Sequence, residues 1–361
     1  MRPIPAAILF IASTAITAAT LALNLQPGIG GGMDDIDFST IGATDDMANK
    51  PRYSKSAYDI TPLTSDEIRT RAEKLTDEQR RVLLNKGTEQ AFCGNLLDNH
   101  KEGFYACALC GLPLFSSDAK FDSGSGWPSF FKPFDKDHIH YESDNSLGMQ
   151  RVEILCARCT GHLGHLFHDG PNPTGLRYCL NSESLTFIEK GDDIPADSMP
   201  VATETAYFAG GCFWGVEDRF QAVPGVIDAV SGYQGGTVDN PTYKQVCYSD
   251  TGHAESVRVV FDPKRVSYRS LLEVFFKIHD PTTLNRQGPD IGDQYRSAIF
   301  TTSDEQLAQA KAYIAEAQNS DRFKSRKIVT QIEPAPKFYE AEEYHQDYHL
   351  KHGGSCQIPT P

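Results

Sequence analysis

No cysteine occurs before Cys93. A lipid-modified cysteine near the N-terminus is thereby excluded. Nor is there a basic stripe: 34 Lys and Arg against 48 Asp and Glu leave a formal charge of −14. Phosphate binding needs clustered cations, so nucleic acid is excluded as the main partner. No internal repeat relates the two halves of the chain, so the second is not a copy of the first. Tryptophan is scarce, with only Trp127 and Trp214. Each lies in a segment dense in Gly and Phe, FDSGSGWPSFF and GGCFWG. What remains is ordinary globular composition over 361 residues, with 40% hydrophobic, 10% aromatic and 23% charged. That length suits two domains, each able to bury a core.

The first residues have a composition of their own. Ile4–Leu25 is mostly apolar behind Arg2, and Asp34, Asp35 and Asp37 follow. As a helix the run would reach about 33 Å, enough for a bilayer. The charge asymmetry places Arg2 inside and the rest outside. Residues 1–26 are expected to be a signal peptide or a membrane anchor, which puts the protein in the periplasm or anchored facing it. No clean A-x-A cleavage site decides between the two.

Residues 27–63, rich in Gly, Asp, Ser and Thr, read as a flexible linker. Capping boxes T-S-D-E at 64–67 and T-D-E-Q at 76–79 predict two short helices. From 100 to 190 short apolar runs alternate with turn residues, the pattern of antiparallel strands. GDDIPADSMPVA at 191–202 reads as an interdomain linker. After Thr203 strand and helix signals alternate, the mark of an α/β or α+β domain. The expected units are 64–190 and 203–361.

Two cysteines sit in settings suited to a reactive thiol. Cys212 follows Gly210-Gly211 and opens a predicted helix, and Cys179 lies two residues after Arg177. A helix N-terminus or a nearby guanidinium stabilises a thiolate. Cys107-x-x-Cys110 and Cys156-x-x-Cys159 form two C-x-x-C pairs with 45 residues between them. Four thiolates supplied as two turns suit a closed tetrahedral zinc site with a structural role. Redox dithiols or disulfides are the alternative, and an oxidising exported location favours them.

The motifs carry a resemblance to two families. FYACALCGLPLF, KFDSGSGWPSF, CARCTGHLGHLFHDGP and LRYCLNSESLTF resemble the B-type peptide-methionine (R)-S-oxide reductases over about 64–190. GGCFWGVE, GVIDAVSGYQGG, NPTYKQVC, TGHAE and DIGDQYRSAIF resemble the A-type (S)-S-oxide reductases over about 204–357. The resemblance implies a mainly-β, zinc-containing B-type domain followed by an α+β A-type domain with a ferredoxin-like core. It also implies repair of both epimers of methionine sulfoxide, in proteins and free, with recycling by a thioredoxin-like dithiol. In the A-type half it makes Cys212 the nucleophile and Glu255 the acid, its pKa raised by burial. Tyr243 and Tyr295 bind the sulfoxide oxygen, Asp290 assists, Phe213 and Trp214 hold the methyl group, and Cys356 resolves the sulfenic acid. In the B-type half it makes Cys179 the nucleophile. His162, His165, Asp169, Arg177 and Asn181 bind and protonate the oxygen, with His165 as donor, and Trp127 walls the methyl group. Many B-type members carry a resolving cysteine just before GWPSF. Here the stretch is Asp122-Ser123-Gly124-Ser125-Gly126, with no thiol; the resemblance, in which some members use an upstream position, implies that Cys93 is the resolving thiol. Cys247, between Val246 and Tyr248, is expected to be a buried structural cysteine.

Two rival classes are a general thiol-disulfide oxidoreductase or peroxidase, and a zinc-stapled binding module fused to an enzyme. The first requires a redox C-x-x-C at a helix start in a βαβ setting, which neither pair has. The second requires RYCLN and HLGH to be merely structural, although they combine Arg, Asn, His and Cys.

Overall fold

The computed structural model describes residues 33, 36 and 50–353. The expected leader at 1–26 and Cys356 lie outside the described residues. Among the described residues no helix is long and apolar enough to cross a membrane.

The first half opens with α1 (Ser65–Ala72) and α2 (Asp77–Leu83). Both predicted capping boxes form: Thr64 and Thr76 each accept from the third helical N–H, and Glu67 and Gln79 reach back. These reciprocal bonds satisfy donors that short helices otherwise leave unpaired. The helices cover one flank of two sheets. One has the order β2-β1-β9, from β1 (Gly103–Cys107), β2 (Pro113–Ser116) and β9 (Leu185–Glu189). The other has the order β3-β4-β8-β7-β6-β5. Its strands are β3 (Lys120–Phe121), β4 (Ser129–Phe130), β5 (Ile139–Asp144), β6 (Arg151–Cys156), β7 (His162–Phe167) and β8 (Arg177–Leu180). All pairings in both sheets are antiparallel. Tyr105, Phe115, Phe130 and Leu163 fill the core between them.

The stretch expected to be a flexible linker behaves otherwise from residue 50 onward. Tyr58, Ile60 and Leu63 are buried in the first core, and Ile36 joins them. The buried Arg158 explains why the stretch stays down. Its guanidinium donates to the carbonyls of Asp59 (2.7 Å), Cys110 (3.0 Å) and Asp197 (2.8 Å). One side chain thus ties the entering strap, a cysteine turn and the 191–202 connector together. Tyr53 on the strap donates to Asp262 of the second half at 3.1 Å. Composition suggested a coil, but three apolar side chains and a buried cation override it.

The second half has one six-stranded sheet in the order β16-β15-β10-β12-β11-β17. Its strands are β10 (Glu204–Gly210), β11 (Val226–Gln234), β12 (Ala254–Phe261), β15 (Ser297–Thr301), β16 (Gln331–Pro334) and β17 (Tyr339–Glu340). Only β15 and β16 are parallel. A small hairpin, β13 (Arg286–Gln287) and β14 (Asp290–Ile291), stands apart. The helices are α3 (Phe213–Gln221), α4 (Tyr243–Tyr248), α5 (Tyr268–Ile278), α6 (Asp304–Gln318) and α7 (Tyr348–His352). In α5 the buried Tyr268, Leu271, Leu272, Phe275 and Phe276 follow helical spacing, and Ser267 caps the start. Burying one such side chain is worth about 1.5–3 kcal/mol, far more than propensity. Phe208 of β10 packs between α3 and α5, with its ring 4.8 Å from Phe220 and 5.0 Å from Phe275.

Candidate active sites and metal centre

The first thiol site forms where β4, β8 and β7 lie side by side. Register sets Cys179 opposite Ser129 on one flank and opposite His165 on the other. Gly164 makes the close approach possible: its φ is +154°, and a Cβ there would meet the Cys179 carbonyl at 2.0 Å. A cavity of about 110 Å³ opens beside the thiol, lined by Trp127, Arg151, His165, Phe167 and Asn181 among others. The Ser125 hydroxyl is 3.8 Å from Cys179 Sγ. Burial pushes the Cys179 thiol above its usual value, although Ser125 and Arg177 pull the other way. Arg177 alone was expected to lower it, but desolvation wins.

Two carboxylate–histidine pairs form on β7, and His165 of one of them lines this cavity. His162 Nδ1 donates to Glu153 Oε1 at 2.6 Å, and Lys86 holds the other oxygen at 2.9 Å. Burial opposes ionisation of Glu153, but His162 and Lys86 outweigh it and its carboxyl lies below the usual range. His165 Nε2 donates to Asp144 Oδ2 at 2.8 Å. Asp169 lies on the outer side and grips Arg177 through two 2.8 Å bonds. Asn181 is engaged with backbone: its amide donates to Leu163 O at 3.1 Å and its oxygen accepts from Glu89 N at 3.0 Å.

Glu89 was not singled out in the sequence. Its buried carboxylate accepts from Ser182 N (2.8 Å) and Glu183 N (3.0 Å), and its carbonyl holds the Trp127 indole N–H at 3.2 Å. It leads, four residues on, into exposed Cys93. Its partners lie 38 to 94 positions away, and no short motif records such pairings. Asp144 and Glu153 carry no motif of their own either: they meet His165 and His162 only across paired strands, 21 and 9 positions away.

The second thiol site sits at a helix start, as expected. Gly211 has φ +97°, and a Cβ there would lie 2.6 Å from Gln287 Cγ. Cys212 is the N-cap of α3, at the positive end of its dipole. Glu255, 1% exposed, turns its Oε2 to the Phe213 N–H at 3.1 Å, bringing a carboxyl to the same helix end. Tyr243 starts α4 and Tyr295 ends a 3-10 turn. Burial pushes both phenols above their ordinary value, followed by Cys247 and then Glu255 for Tyr243 and by Glu255 for Tyr295. Burial also raises Asp290, whose charge reaches Tyr295. The Trp214 indole N–H donates to His345 Nδ1 at 3.0 Å, and the Tyr348 ring stacks on Trp214 at 3.7 Å. Glu342 accepts from Tyr243 N (3.1 Å) and the Tyr233 hydroxyl (2.9 Å).

Cys247 departs from the expected buried structural role. It is only half-buried and hydrogen-bonds the Tyr243 phenol, because α4 buries little beyond Val246. The apolar neighbours in sequence lie on different faces of that short helix.

The remaining four thiols converge. Cys107, Cys110, Cys156 and Cys159 are buried, with all four sulfurs within 4.8 Å of one another. Two pairs, Cys107–Cys159 and Cys110–Cys156, are 3.5 Å apart. Tetrahedral bonds of about 2.3 Å to zinc require sulfurs about 3.8 Å apart, so the set fits a closed four-thiolate site. No fourth-position opening is left for chemistry.

Comparison with known families divides the chain at the same place. A family described as SelR domain matches residues 75–189, and one described as peptide methionine sulfoxide reductase matches 204–360. The peptide methionine sulfoxide reductase MsrA of Methanoculleus marisnigri is 58% identical over 151 residues, covering 42% of this chain and 92% of the relative. The MsrB of Xylella fastidiosa is 55% identical over 150 residues, covering 42% of this chain and 96% of the relative. Reduced Mxr1 from Saccharomyces cerevisiae, at 40% identity, covers 44% of this chain and 90% of that one with a TM-score of 0.41.

Proposed function

The chain belongs to the peptide-methionine sulfoxide reductases, its first half to the B type and its second to the A type, and from that premise we propose which side chains carry each reaction. The enzyme reduces both epimers of methionine sulfoxide. Oxidised methionine is chiral at sulfur, and separate enzymes act on the two forms. Two unrelated thiol sites in one chain meet that need.

In each site the thiolate attacks the sulfoxide sulfur. The S–O bond breaks as the oxygen passes to the enzyme sulfur. Methionine is released and the cysteine becomes a sulfenic acid. A proton must reach the oxygen, so each site needs an acid. In the A-type half Glu255 is that acid beside Cys212, with Tyr243 and Tyr295 as donors to the oxygen, Asp290 supporting Tyr295, and Phe213 with Trp214 around the methyl group. In the B-type half His165 is the acid beside Cys179. Arg177 stabilises the thiolate, and Trp127 walls the methyl group, held by Glu89. His162, Asp169 and Asn181 keep those groups in place. A second thiol, Cys93 in the first half and Cys356 in the second, then condenses with the sulfenic acid, releasing water and forming a disulfide. A thioredoxin-like dithiol exchanges with that disulfide and restores both thiols.

Zinc is read as the occupant of the four-cysteine cluster, with a structural role; soft thiolates and the sulfur spacing support it. The β10-α3-β11-β12-α5-β15 connectivity, with strand order β15-β10-β12-β11, supports a ferredoxin-like core. The apolar run at 4–25 supports export. The observation that carries the whole reading is the pairing of each thiol with its own acid, Glu255 buried and His165 largely so, and with an aromatic wall. Trapping sulfenic acid after one turnover tests it. R-sulfoxide should label Cys179 and S-sulfoxide Cys212. Label on the same cysteine with both epimers would refute the assignment.

A further inference from the structure

Asp144 closes β5 and Arg151 opens β6, and the two face each other across that hairpin. Arg151 Nη2 donates to Asp144 Oδ2 at 2.6 Å, and Ser146 N donates to Oδ1 at 2.9 Å. The third donor is His165 Nε2, at 2.8 Å from Oδ2. Both side chains of this last pair are nearly buried, 13% and 14% exposed. We infer that Asp144 is a positioning residue for the B-type reaction: its carboxylate fixes which nitrogen of His165 faces the sulfoxide and balances the charge that ring must carry. The inference rests on the reading of His165 as proton donor.

A carboxylate held by three donors is ionised and can only accept. The Ser146 hydroxyl and amide, then His165 and Arg151, keep Asp144 far below its usual range. Nε2 of His165 therefore carries a hydrogen. In a neutral ring Nδ1 is then bare and has no proton to give. To act as an acid from Nδ1 the ring must hold both protons, as imidazolium. Burial disfavours that charge, and the nearby Arg151 and His162 disfavour it further; Asp144 is the group that opposes them. Glu153 faces His165 from β6 but is engaged by His162 and Lys86. Arg177 on β8 is engaged by Asp169, and Cys179 faces His165 directly. Asp144 is thus the carboxylate in contact with the ring. Such pairs set the tautomer of the imidazole and stabilise its protonated form.

The sign follows. The donating form exists below the pKa of His165 and is lost as pH rises through it. Asp144→Asn keeps an oxygen for Nε2–H but removes the charge. The alkaline fall of R-epimer kcat/KM should move down by about one pH unit, since an adjacent opposite charge shifts a titration by that much or more. Activity should approach wild type on the acid side of that fall and be roughly tenfold lower along its alkaline limb. Asp144→Glu should restore most of the profile. S-epimer reduction, measured on the same full-length chain, should follow the wild-type profile in both variants. An Asp144→Asn profile parallel to wild type would overturn the inference. If Asp144→Asn does not fold, nitrogen-15 shifts of His165 in the wild-type protein decide: a proton on Nε2 supports the assignment and one on Nδ1 alone overturns it. His165→Gln at wild-type R-epimer rate would remove the premise, and it would do so without any change at Asp144.

Discussion

Replacing one sulfur of the four-cysteine cluster should unfold one half of this enzyme and spare the other. Cys107 and Cys110 lie at the turn between β1 and β2, and Cys156 and Cys159 at the turn between β6 and β7. Those turns belong to different sheets. A shared metal is therefore a bond between two layers, not a local brace. All four cysteines are at most 1% exposed, so no water can take a missing ligand's place without opening the core. Zinc bound by four thiolates contributes about 10–16 kcal/mol in small sites. A whole domain is stable by only about 5–15 kcal/mol. Cys156→Ser, or chelation, should then cost most of the first half's stability. At a few degrees per kcal/mol, its melting transition should fall by on the order of 20 °C or vanish. The assay is calorimetry of the full chain with metal analysis on the same sample. One zinc per chain and two transitions are expected for wild type. Only the second transition should survive in the variant, together with S-epimer activity. A zinc-free chain with both transitions unmoved and full R-epimer activity would refute the reasoning.

Other outcomes follow from the same geometry. Glu255→Gln should lower S-epimer single-turnover release by about 10²–10⁴-fold, the usual worth of a general acid, while R-epimer release is unchanged. S-epimer release in the variant at the wild-type rate would place the acid elsewhere. Cys93→Ser should keep one-turnover release from R-sulfoxide but slow thioredoxin-dependent turnover, and peptide mapping of wild type should find a Cys93–Cys179 disulfide. Unchanged turnover with no such disulfide would leave Cys93 without a redox role. His279 is fully buried between Phe275 O (2.6 Å) and Ser297 Oγ (2.7 Å), and desolvation pushes it down to about 4. Its unfolded value is about 6.5, so the unfolded chain binds more protons between these pH values. Stability of the second half should therefore be lost as pH falls from about 6.5 to 4, by about 3 kcal/mol at most. Denaturant titrations of His279→Gln should show a flatter pH dependence, and an unchanged slope would contradict the assignment.

The sequence made the reacting atoms legible better than their supports. Cys179 and Arg177 lie two apart, Gly211 and Cys212 are adjacent, and the two C-x-x-C turns are local by construction. Their chemistry is written at short spacing. Glu89 meets its partners 38 to 94 positions away, Asp144 meets His165 across 21 and Glu153 meets Lys86 across 67, beside nearer partners in Arg151 and Ser146 for Asp144 and His162 for Glu153. They acquire meaning only once β5, β6 and β7 are in register. Cys247 was misjudged because apolar neighbours imply burial only when they share a face, and a helix of six residues separates them. The strap at 50–63 reads as coil because the Gly, Asp, Ser and Thr content of the whole 27–63 stretch masks three apolar anchors near its end, Tyr58, Ile60 and Leu63. The pKa of Cys179 was misjudged in sign because a neighbouring Arg is visible in the sequence and desolvation is not.

The central claim is that two independent thiols divide the two epimers between them. Reduction of purified R- and S-sulfoxide by Cys179→Ser and Cys212→Ser, each in the full chain, tests it most directly. Cys179→Ser should lose R-epimer reduction alone, and Cys212→Ser should lose S-epimer reduction alone. Loss of both activities in either folded variant, or survival of the assigned one, would contradict the account.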